Sequence, residues 1–582
     1  MASTFLLAAW AFAGLGACMT RLEKTQVLPD GWNQFSDAPN AAHPLRMSIA
    51  LRQPEIHRLG AALTGAVRLS VDDVLALRTP DQGDVDDVLR WLADNGITET
   101  KSEKDWVHVR TTVGKAEKLL NMKMHRYSFD GQPPVLRTPE YSIPDSLSKA
   151  ISFVHPIANF MTPTHEVAAS RPMPSSMAMA LHRRDDSLCS AITTPSCIAK
   201  QYNIRYSTPD GTSPVRFAIA GFLGQYANFN DTKEFFHRTM PNLVTAGYNF
   251  TIEPVNGGEN LQDPNKAGSE ANLDIQYGMA IGYPAQVTYF PVGGRGIKLN
   301  DSGQPFPEEY SDNEPYLELL QYLINEPDDR FPHVLSVSYA DDELSVPRPY
   351  AERVCSLFGM LAARGTSILV GSGDGGAKGG RNSTCRTNDG TNKDITMSTF
   401  PGSCPWVTAV GAVTNTQNPP QGATFSSGGF SRYFDREPWQ DAAVDGYVKA
   451  LDGHLQGYYN PAMRAIPDIS AVGTQFMTIV NGQPMMLDGT SASTPVFAAL
   501  IALVNDARLR QGKMVLGWLN RTLYSPKVQS VLRDITSGQS MSCVFSDGSQ
   551  PGGWPATKGW DAITGLGTPG NFNDLLQALV EA

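Results

Sequence analysis

The chain has 582 residues, of which 41% are hydrophobic and 18% are charged, and its formal net charge at pH 7 is −11. This composition is that of a globular protein too long for one compact core, so we expect two domains. The acidic charge argues against a nucleic acid or an anionic membrane as a partner.

An apolar run, FLLAAWAFAGLGA, occupies residues 5–17 and is followed by a polar segment. The run is too short to span a bilayer and is typical of the core of a secretory signal, although no Lys or Arg precedes it. The pattern predicts a signal peptide over residues 1–19 and a secreted, extracellular protein.

Residues 20–161 contain no cysteine and mix strand and helix patterns. Residues 45–51 alternate like a strand. Residues 84–92 carry apolar side chains at helical spacing, and residues 115–121 fit a further helix. This stretch therefore predicts a mixed α/β domain of its own.

Residues 162–187 are rich in Pro, Ser, Met and Ala and have no regular period, which predicts an exposed linker. The dibasic pair Arg183-Arg184 near its end is a candidate processing site. Two solvated arginines are an equally good interpretation of that pair.

Strand-like runs follow the linker, with helical stretches between several of them. The runs are residues 215–221, 334–339, 367–372 and 406–411. Continuous apolar strands separated by helices predict a parallel, doubly wound sheet, so the predicted fold class is α/β.

Besides Cys18, the chain has six cysteines, and an even count in a secreted chain indicates disulfides. They are Cys189, Cys197, Cys355, Cys385, Cys404 and Cys543. No CxxC pair occurs, which disfavours zinc. Glycosylation sequons begin at Asn230, Asn249, Asn300, Asn382 and Asn520. Together with the signal they indicate a glycosylated secreted protein.

Ser491 lies in the segment GTSASTP, residues 489–495, which is similar to the nucleophile turn of subtilisin-like serine peptidases. Pro495 and the apolar run 496–504 are predicted to open a helix. Backbone N–H groups at a helix start favour a developing oxyanion. A serine there is equally well explained as a helix cap, and this segment alone does not separate the two.

A serine nucleophile needs a base, and the histidines after the linker are His237, His333 and His454. None of them is followed by glycine or sits in the His-Gly-Thr-His type of context that subtilisin-like enzymes use. Each is better interpreted as structural or surface-exposed.

Two carboxylates offer a better base. Glu270 and Asp274 are four residues apart at a predicted helix start, with Ser269 as a possible cap, so both project from one face. A carboxylate can act as general base in acid, where histidine is already protonated. Glu270 would accept the Ser491 proton and Asp274 would orient Glu270. For most such patterns a solvated acidic face is the better interpretation.

Asp374 lies in GSGDGG, residues 371–376, directly after a predicted buried strand. Open α/β sheets place their sites at the carboxyl ends of strands. A protonated Asp374 could donate a hydrogen bond to an oxyanion. A phosphate-binding loop is discounted because the Lys-Ser/Thr pair is missing.

Near the C-terminus, Asp534 and Asp561 flank glycine-rich turns. Two carboxylates plus backbone carbonyls suit a hard cation such as calcium, although there is no EF-hand loop. Two ordinary loop aspartates are the alternative.

The motifs ExxxD, SGDGG, GTSASTP and DI…GWD, in this order, closely resemble the sedolisin (serine-carboxyl peptidase) family, in particular its secreted fungal tripeptidyl-peptidase members. The resemblance implies a subtilisin-like catalytic domain over residues 188–582. It also implies that an α+β, ferredoxin-like domain over residues 20–161 is an inhibitory propeptide removed by autoprocessing at acid pH within the linker.

The resemblance further implies roles for the candidate residues. Ser491 would be the nucleophile, Glu270 the base, Asp274 its partner and Asp374 the oxyanion stabiliser. It implies a bound calcium ion, and the ligand set is the side chains of Asp534 and Asp561 with the carbonyls of Ile535, Thr557 and Gly559. Among fifteen possible cysteine pairings we expect Cys189–Cys197, Cys355–Cys404 and Cys385–Cys543.

We therefore expect a secreted, monomeric, acid-active peptidase that releases tripeptides from free N-termini. Its partners would be peptide or protein substrates and its own propeptide, with no nucleic acid and no membrane. A sedolisin-type endopeptidase, a non-catalytic binding protein on the same fold and a histidine-dependent subtilisin relative are the alternatives.

Overall fold

The computed structural model describes residues 18–28, 31–65, 68–129, 134–160, 169–174, 189–293, 315–380, 384–415 and 419–582. The predicted signal core, the Arg183-Arg184 pair and the sequons at Asn300 and Asn382 lie outside these ranges.

The helices in these ranges are α1 Arg58–Thr64, α2 Val71–Arg78, α3 Gln82–Asp94, α4 Val113–Leu119, α5 Pro195–Gln201, α6 Phe229–Thr239, α7 Pro241–Thr245, α8 Ser269–Gly282, α9 Tyr316–Ile324, α10 Arg348–Arg364, α11 Asp441–Ala450, α12 Thr490–Arg510, α13 Asn520–Leu523, α14 Pro526–Gln529 and α15 Phe572–Val580. Short 3-10 turns occur at Asp145–Leu147, Pro264–Lys266, Glu343–Ser345, Gly376–Lys378 and Pro438–Gln440.

The strands are β1 Met19–Lys24, β2 Trp32–Gln34, β3 Pro44–Leu51, β4 Thr100–Glu103, β5 Trp106–Thr112, β6 His125–Phe129, β7 Val135–Arg137, β8 Glu140–Pro144, β9 Ile151–His155, β10 Ala169–Pro172, β11 Arg216–Gly221, β12 Thr251–Ile252, β13 Gln286–Pro291, β14 Val334–Val337, β15 Asp341–Asp342, β16 Ser367–Gly371, β17 Thr399–Phe400, β18 Thr408–Val413, β19 Gly429–Asp435, β20 Met463–Ile466, β21 Ile469–Val472, β22 Phe476–Val480, β23 Gln483–Asp488, β24 Leu532–Arg533 and β25 Thr568–Pro569.

The N-terminal domain, residues 18–160, contains a four-stranded antiparallel sheet in the order β4-β5-β3-β9. Its chain order, β3-α3-β4-β5-α4-β9, is the ferredoxin-like arrangement that was predicted. The alternating residues Leu45, Met47 and Ile49 of β3 pack with the apolar faces of α3 and α4. The apolar side chains of the alternating strand and those of the amphipathic helix α3 therefore lie in one core.

The opposite face of this sheet packs on helix α10, which belongs to the rest of the chain. Trp106 and Phe153 share an apolar cluster with α10. Within this contact the buried Asp105 carboxylate accepts hydrogen bonds from Arg78 and from Arg353 of α10, each at 2.6 Å. Removing one partner of such a buried cluster leaves an unpaired charge, so these bonds fix how the two parts dock.

The sheet domain, residues 189–582, is built on seven parallel strands in the order β12-β13-β11-β14-β16-β18-β21. Phe217 and Ile219 of β11 face helices α8 and α12, whereas Ala218 and Ala220 face α9 and α10. Helices cover both faces, which explains why the strands are apolar throughout. The doubly wound sheet is therefore confirmed.

The predicted linker is not irregular throughout, because β10 lies within it. β10 pairs antiparallel with β23, the strand that ends one residue before Gly489. Arg171 of β10 also forms an ion pair with Asp488 of β23. The linker sequence has no alternating pattern that would reveal this strand. The strand forms against a partner more than 300 residues away in the chain.

The expected disulfides Cys189–Cys197, Cys355–Cys404 and Cys385–Cys543 are all present. Of the sequons that the structure describes, those at Asn230 and Asn249 are exposed. Asn520 is buried, and its amide donates to Val407 O at 2.8 Å and accepts from Thr408 at 2.6 Å. The expectation of a glycan at Asn520 is therefore wrong.

Across the described ranges, no helix combines the length and the apolar character needed to cross a membrane.

Candidate active site

Asp374 and Ser491 lie near the carboxyl ends of two neighbouring strands, and Asp274 reaches one of these ends through Ser338. Ser338 follows β14 and Asp374 follows β16, and these strands pair in the middle of the sheet. Ser491 lies at the start of α12, which packs against both strands and against α8. Since parallel strands end at the same edge, the topology collects residues that are far apart in sequence.

Helix α12 begins at Thr490, five residues before the predicted start at Pro495. Pro495 has no N–H, so the carbonyl of Ser491 lacks its usual helical partner. The hydroxyl of Ser338 lies 3.4 Å from that carbonyl, and Ser491 Oγ donates to the carbonyl of Ser338 at 3.2 Å. Ser491 is therefore a helix-start residue whose hydroxyl points towards the end of β14.

Glu270 and Asp274 both lie on α8 and are each 1% exposed. The alternative of a solvated acidic face is thereby excluded. Asp274 Oδ1 accepts a hydrogen bond from Ser338 Oγ at 2.8 Å. Burial raises the pKa of Asp274 well above its ordinary value, and the bond from Ser338 opposes that shift. Ser338 thus links Asp274 to Ser491.

The predicted cap of α8 is wrong, because Ser269 is already a helical residue and Gly268 is the N-cap. Glycine has no side chain with which to bond the first N–H groups. Instead the N–H of Glu270 donates to Gln225 Oε1 at 3.2 Å. Gln225 was not foreseen because it lies 45 residues earlier, in the turn after β11.

Asp374 faces the residue before the serine. Its Oδ1 accepts from the N–H and from the hydroxyl of Thr490, at 2.7 Å and 2.8 Å. Burial raises the pKa of Asp374 to about 6, the bonds from Thr490 oppose the rise and the nearby Asp488 carboxylate adds to it. A half-buried aspartate with a raised pKa therefore lies beside the start of α12.

The three histidines after the linker serve other contacts. His237 lies in the last turn of α6. The ring of His333 contacts the Arg216 guanidinium at 2.8 Å, and burial lowers the pKa of His333 to about 3. His454 Nε2 is 2.8 Å from the carbonyl of Gly553. None of these contacts involves Ser491.

The residues predicted to hold calcium lie together. Asp534 Oδ2 accepts from the N–H of Gly559 at 2.9 Å, and Asp561 Oδ2 accepts from the N–H of Thr557 at 3.1 Å. Ile535 follows Asp534 in the chain. Burial raises the pKa of Asp561 to about 8, a cost that a bound cation would offset. The residues present therefore fit a cation held by two carboxylates and carbonyls.

No group of three or more His, Cys, Asp or Glu side chains placed to hold a metal occurs in the part of the chain that the structure describes. The set at Asp534 and Asp561 contains two carboxylates, so most of its ligands would be backbone carbonyls.

Ser338 is the principal residue that sequence reasoning did not assign. It bonds Asp274 and contacts Ser491, yet it is a serine at the end of a predicted strand. Its position at the carboxyl end of a central strand is the signal that could have identified it.

Sequence comparisons extend over both parts of the chain. The profile "Pro-kumamolisin, activation domain" matches residues 30–160, and the profile "Subtilase family" matches residues 310–533. Tripeptidyl-peptidase SED2 of Arthroderma otae is 36% identical over 582 residues, covering 96% of each chain. Tripeptidyl-peptidase sed4 of Aspergillus fumigatus is 36% identical over 601 residues, covering 98% of each chain.

A solved structure of Pseudomonas sedolisin (serine-carboxyl proteinase) superposes with a TM-score of 0.47 and 19% identity, covering 67% of this chain and 97% of that one.

This chain is a serine-type peptidase with an N-terminal activation domain. The subtilisin-like sheet, the two profile matches and the relatives of similar length all support this class. The two tripeptidyl-peptidases are similar to this chain over nearly its whole length. The chain belongs to the sedolisin (serine-carboxyl peptidase) family.

Proposed function

We propose that this protein is a secreted, acid-active peptidase that removes tripeptides from the free N-termini of peptides and proteins. The observation that carries the acid activity is the Ser338 hydroxyl, which joins the buried Asp274 to the Ser491 turn. In this proposal carboxylates take the role that histidine has in a neutral-pH serine peptidase, since a carboxylate remains an effective base in acid.

In the proposed reaction Ser491 Oγ attacks the scissile carbonyl carbon and Glu270 accepts its proton. The Ser491 hydroxyl must first turn away from the Ser338 carbonyl to which it donates. Asp274, which burial keeps protonated, would donate a hydrogen bond to the Glu270 carboxylate and so stabilise its charged form. Glu270 would return the proton to the leaving amine, and water would then hydrolyse the acyl-enzyme.

Asp374 would stabilise the oxyanion of the tetrahedral intermediate. Its Oδ1 accepts from the N–H and the hydroxyl of Thr490, so the neutral acid would carry its proton on Oδ2. A neutral carboxylic acid can serve as an oxyanion donor in a buried site.

The role of Asp374 predicts the upper limit of the working pH. The pKa of Asp374 is raised to about 6, so the donor proton is present below that pH and lost as pH rises through it. We expect kcat/KM to fall above about pH 6. Asp374→Asn keeps a donor that does not titrate, so its profile should lose this decline. Asp374→Ala should reduce kcat by roughly 10²–10³-fold below about pH 6, where the wild type still holds the donor proton. An Asp374→Asn profile that declines at the same pH as the wild type would contradict the assignment.

The tripeptidyl mode is supported by the two relatives described above, each of which is named a tripeptidyl-peptidase. Mass spectrometry of a decapeptide with a free N-terminus should show cleavage after its third residue. N-acetylation should slow this cleavage by roughly 10–150-fold, the effect of losing one hydrogen bond to a charged group. Equal cleavage of both peptides, at internal bonds, would instead identify an endopeptidase.

We also propose a division of the chain into a signal peptide (1–19), an inhibitory propeptide (20–161), a linker with the processing site (162–187) and the peptidase (188–582). Support comes from the activation-domain match and from the docking of the N-terminal domain on α10. The disulfides fit an oxidising, extracellular location. The expected partners are substrates and the propeptide, and we propose a monomer.

The proposed calcium ion would be held by the side chains of Asp534 and Asp561 and the carbonyls of Ile535, Thr557 and Gly559. Its chemistry there would be structural, since a divalent cation neutralises two carboxylates that come from separate segments of the chain.

Calcium removal should therefore lower thermal stability. At free calcium 100 times Kd, binding stabilises the folded state by about 2.7 kcal/mol, so EGTA should reduce Tm by several degrees. Asp534→Asn should start at the lower Tm and respond weakly to EGTA, whereas Asp389→Asn, in an exposed segment outside the proposed ligand set, should respond like the wild type. A wild-type Tm that is indifferent to EGTA would refute the site.

A non-catalytic binding protein is disfavoured because Ser338 bonds both Asp274 and Ser491, and Asp374 bonds the adjacent Thr490, contacts that a binding scaffold does not need.

A further inference from the structure

The turn that follows β11 has an unusual backbone. After Gly221 the chain reverses within four residues, and the N–H of Gln225 donates to the carbonyl of Phe222 at 3.2 Å. Leu223 and Gly224 have φ values of 58° and 67°. Glycine accepts such values readily, whereas leucine does so only at a cost in backbone energy. Surrounding contacts must therefore hold this turn in place.

One contact holds the turn to the helix that carries the candidate base. Gln225 Oε1 accepts the N–H of Glu270 at 3.2 Å, and the carbonyl of Tyr226 accepts the N–H of Gly268 at 2.9 Å. The first N–H groups of a helix have no partner within it, so Gln225 acts as a cap from another part of the chain. A Cβ on Gly268 would lie 2.1 Å from Gln225 Oε1, which explains the glycine there.

A second contact holds the turn to the sheet. Tyr289 of β13 is buried, and its hydroxyl donates to the carbonyl of Gln225 at 2.7 Å. A Cβ on Gly221 would lie 1.8 Å from that hydroxyl, so the approach requires glycine. The turn is thus held between β13 and the first residues of α8.

We propose that Gln225 is a positioning residue for catalysis. It fixes the main chain at Glu270, and thereby the direction from which the Glu270 carboxylate reaches the Ser491 hydroxyl. The proposal rests on the proposed function of Glu270 as the base. Proton transfer depends steeply on geometry, since a displacement of about 1 Å can cost roughly 100-fold in rate.

The test compares Gln225→Ala and Gln225→Glu with the wild type, using initial rates against substrate concentration and pH. Gln225→Ala removes the acceptor, so kcat should fall by roughly 10–100-fold while KM changes little. Gln225→Glu keeps an acceptor on a side chain of the same length. Its kcat should therefore be close to that of the wild type at the high-pH end of the profile. Tm of both variants should stay close to that of the wild type.

Gln225→Glu also adds a charge beside Glu270, whose titratable neighbours are Asp274, Tyr289 and Tyr339. A like charge disfavours ionisation, so the acid limb of kcat/KM should move to higher pH. A purely structural cap would not produce this movement. The matched control is Gln286→Ala, which loses one bond to Ser213 O at the opposite end of the sheet and should keep wild-type kinetics.

Unchanged kcat in Gln225→Ala, a change confined to KM, or an unmoved acid limb in Gln225→Glu would overturn the proposal. Failure of the proposed function is recognised separately. If Glu270 is not the base, Glu270→Gln remains active regardless of the kinetics of the Gln225 variants.

Discussion

Ser491→Ala is expected to abolish peptide hydrolysis, with a loss in kcat of roughly 10⁶-fold, the size found when a catalytic serine is removed from a subtilisin-type site. The reason is that no other group in the proposed reaction can form the acyl-enzyme. The folded state should change little, because the hydroxyl makes one bond of 3.2 Å, to the carbonyl of Ser338. Such a bond contributes about 1 kcal/mol. Initial rates of tripeptide release from a peptide with a free N-terminus, with Tm measured in parallel, check both statements.

Ser493→Ala is the matched control for this variant. Ser493 lies in the same helical turn, but its hydroxyl donates to the carbonyls of Ala471 and Val472. Its loss should lower Tm slightly and leave the rate largely unchanged. If the proposed autoprocessing is correct, Ser491→Ala should also accumulate as the full-length precursor at acid pH, whereas Ser493→Ala should mature. Retained hydrolysis by Ser491→Ala would place the nucleophile elsewhere.

Glu270→Gln has the next largest expected effect. The amide has the size of the carboxyl group but cannot accept a proton from Ser491, and a general base contributes about 10²–10⁴-fold. We expect a loss of that size in kcat, with KM and Tm close to the wild type. Glu270 is 1% exposed, so replacing it by a neutral isostere removes a buried charge without creating a cavity.

The control for burial is Glu326→Gln. Glu326 is 6% exposed and pairs with Arg330 at 3.0 Å, before the amino end of β14 and away from Ser491. Its activity should remain near the wild type. Full activity of Glu270→Gln would be incompatible with a carboxylate base, and activity that rises towards neutral pH would favour one of the histidines.

Much of the fold was predictable because its signals are local. Apolar runs near 215–221, 334–339 and 367–372 became β11, β14 and β16. The run 406–411 corresponds to β18, which begins two residues later than predicted, at Thr408. Trp406 packs against Trp518 outside the sheet. Cysteine pairing followed the expectation in all three cases.

The parts that were wrong or missed depend on distant partners. Helix α12 begins at Thr490 although Pro495 suggests a later start, and the carbonyl that the proline leaves without a helical partner lies 3.4 Å from the Ser338 hydroxyl. Strand β10 forms because its backbone pairs antiparallel with β23. Asn520 matches a sequon, yet tertiary packing buries it.

The sequence by itself determined the family, the doubly wound sheet and the candidate residues Ser491, Glu270, Asp274 and Asp374, because these rest on motifs and local apolar patterns. Only the tertiary structure decided that Glu270 and Asp274 are buried, that Ser338 joins Asp274 to the Ser491 turn and that Gln225 caps the helix that carries Glu270. The physical reason is that burial and hydrogen bonding join residues 45 to 153 positions apart, and no local pattern encodes such partners.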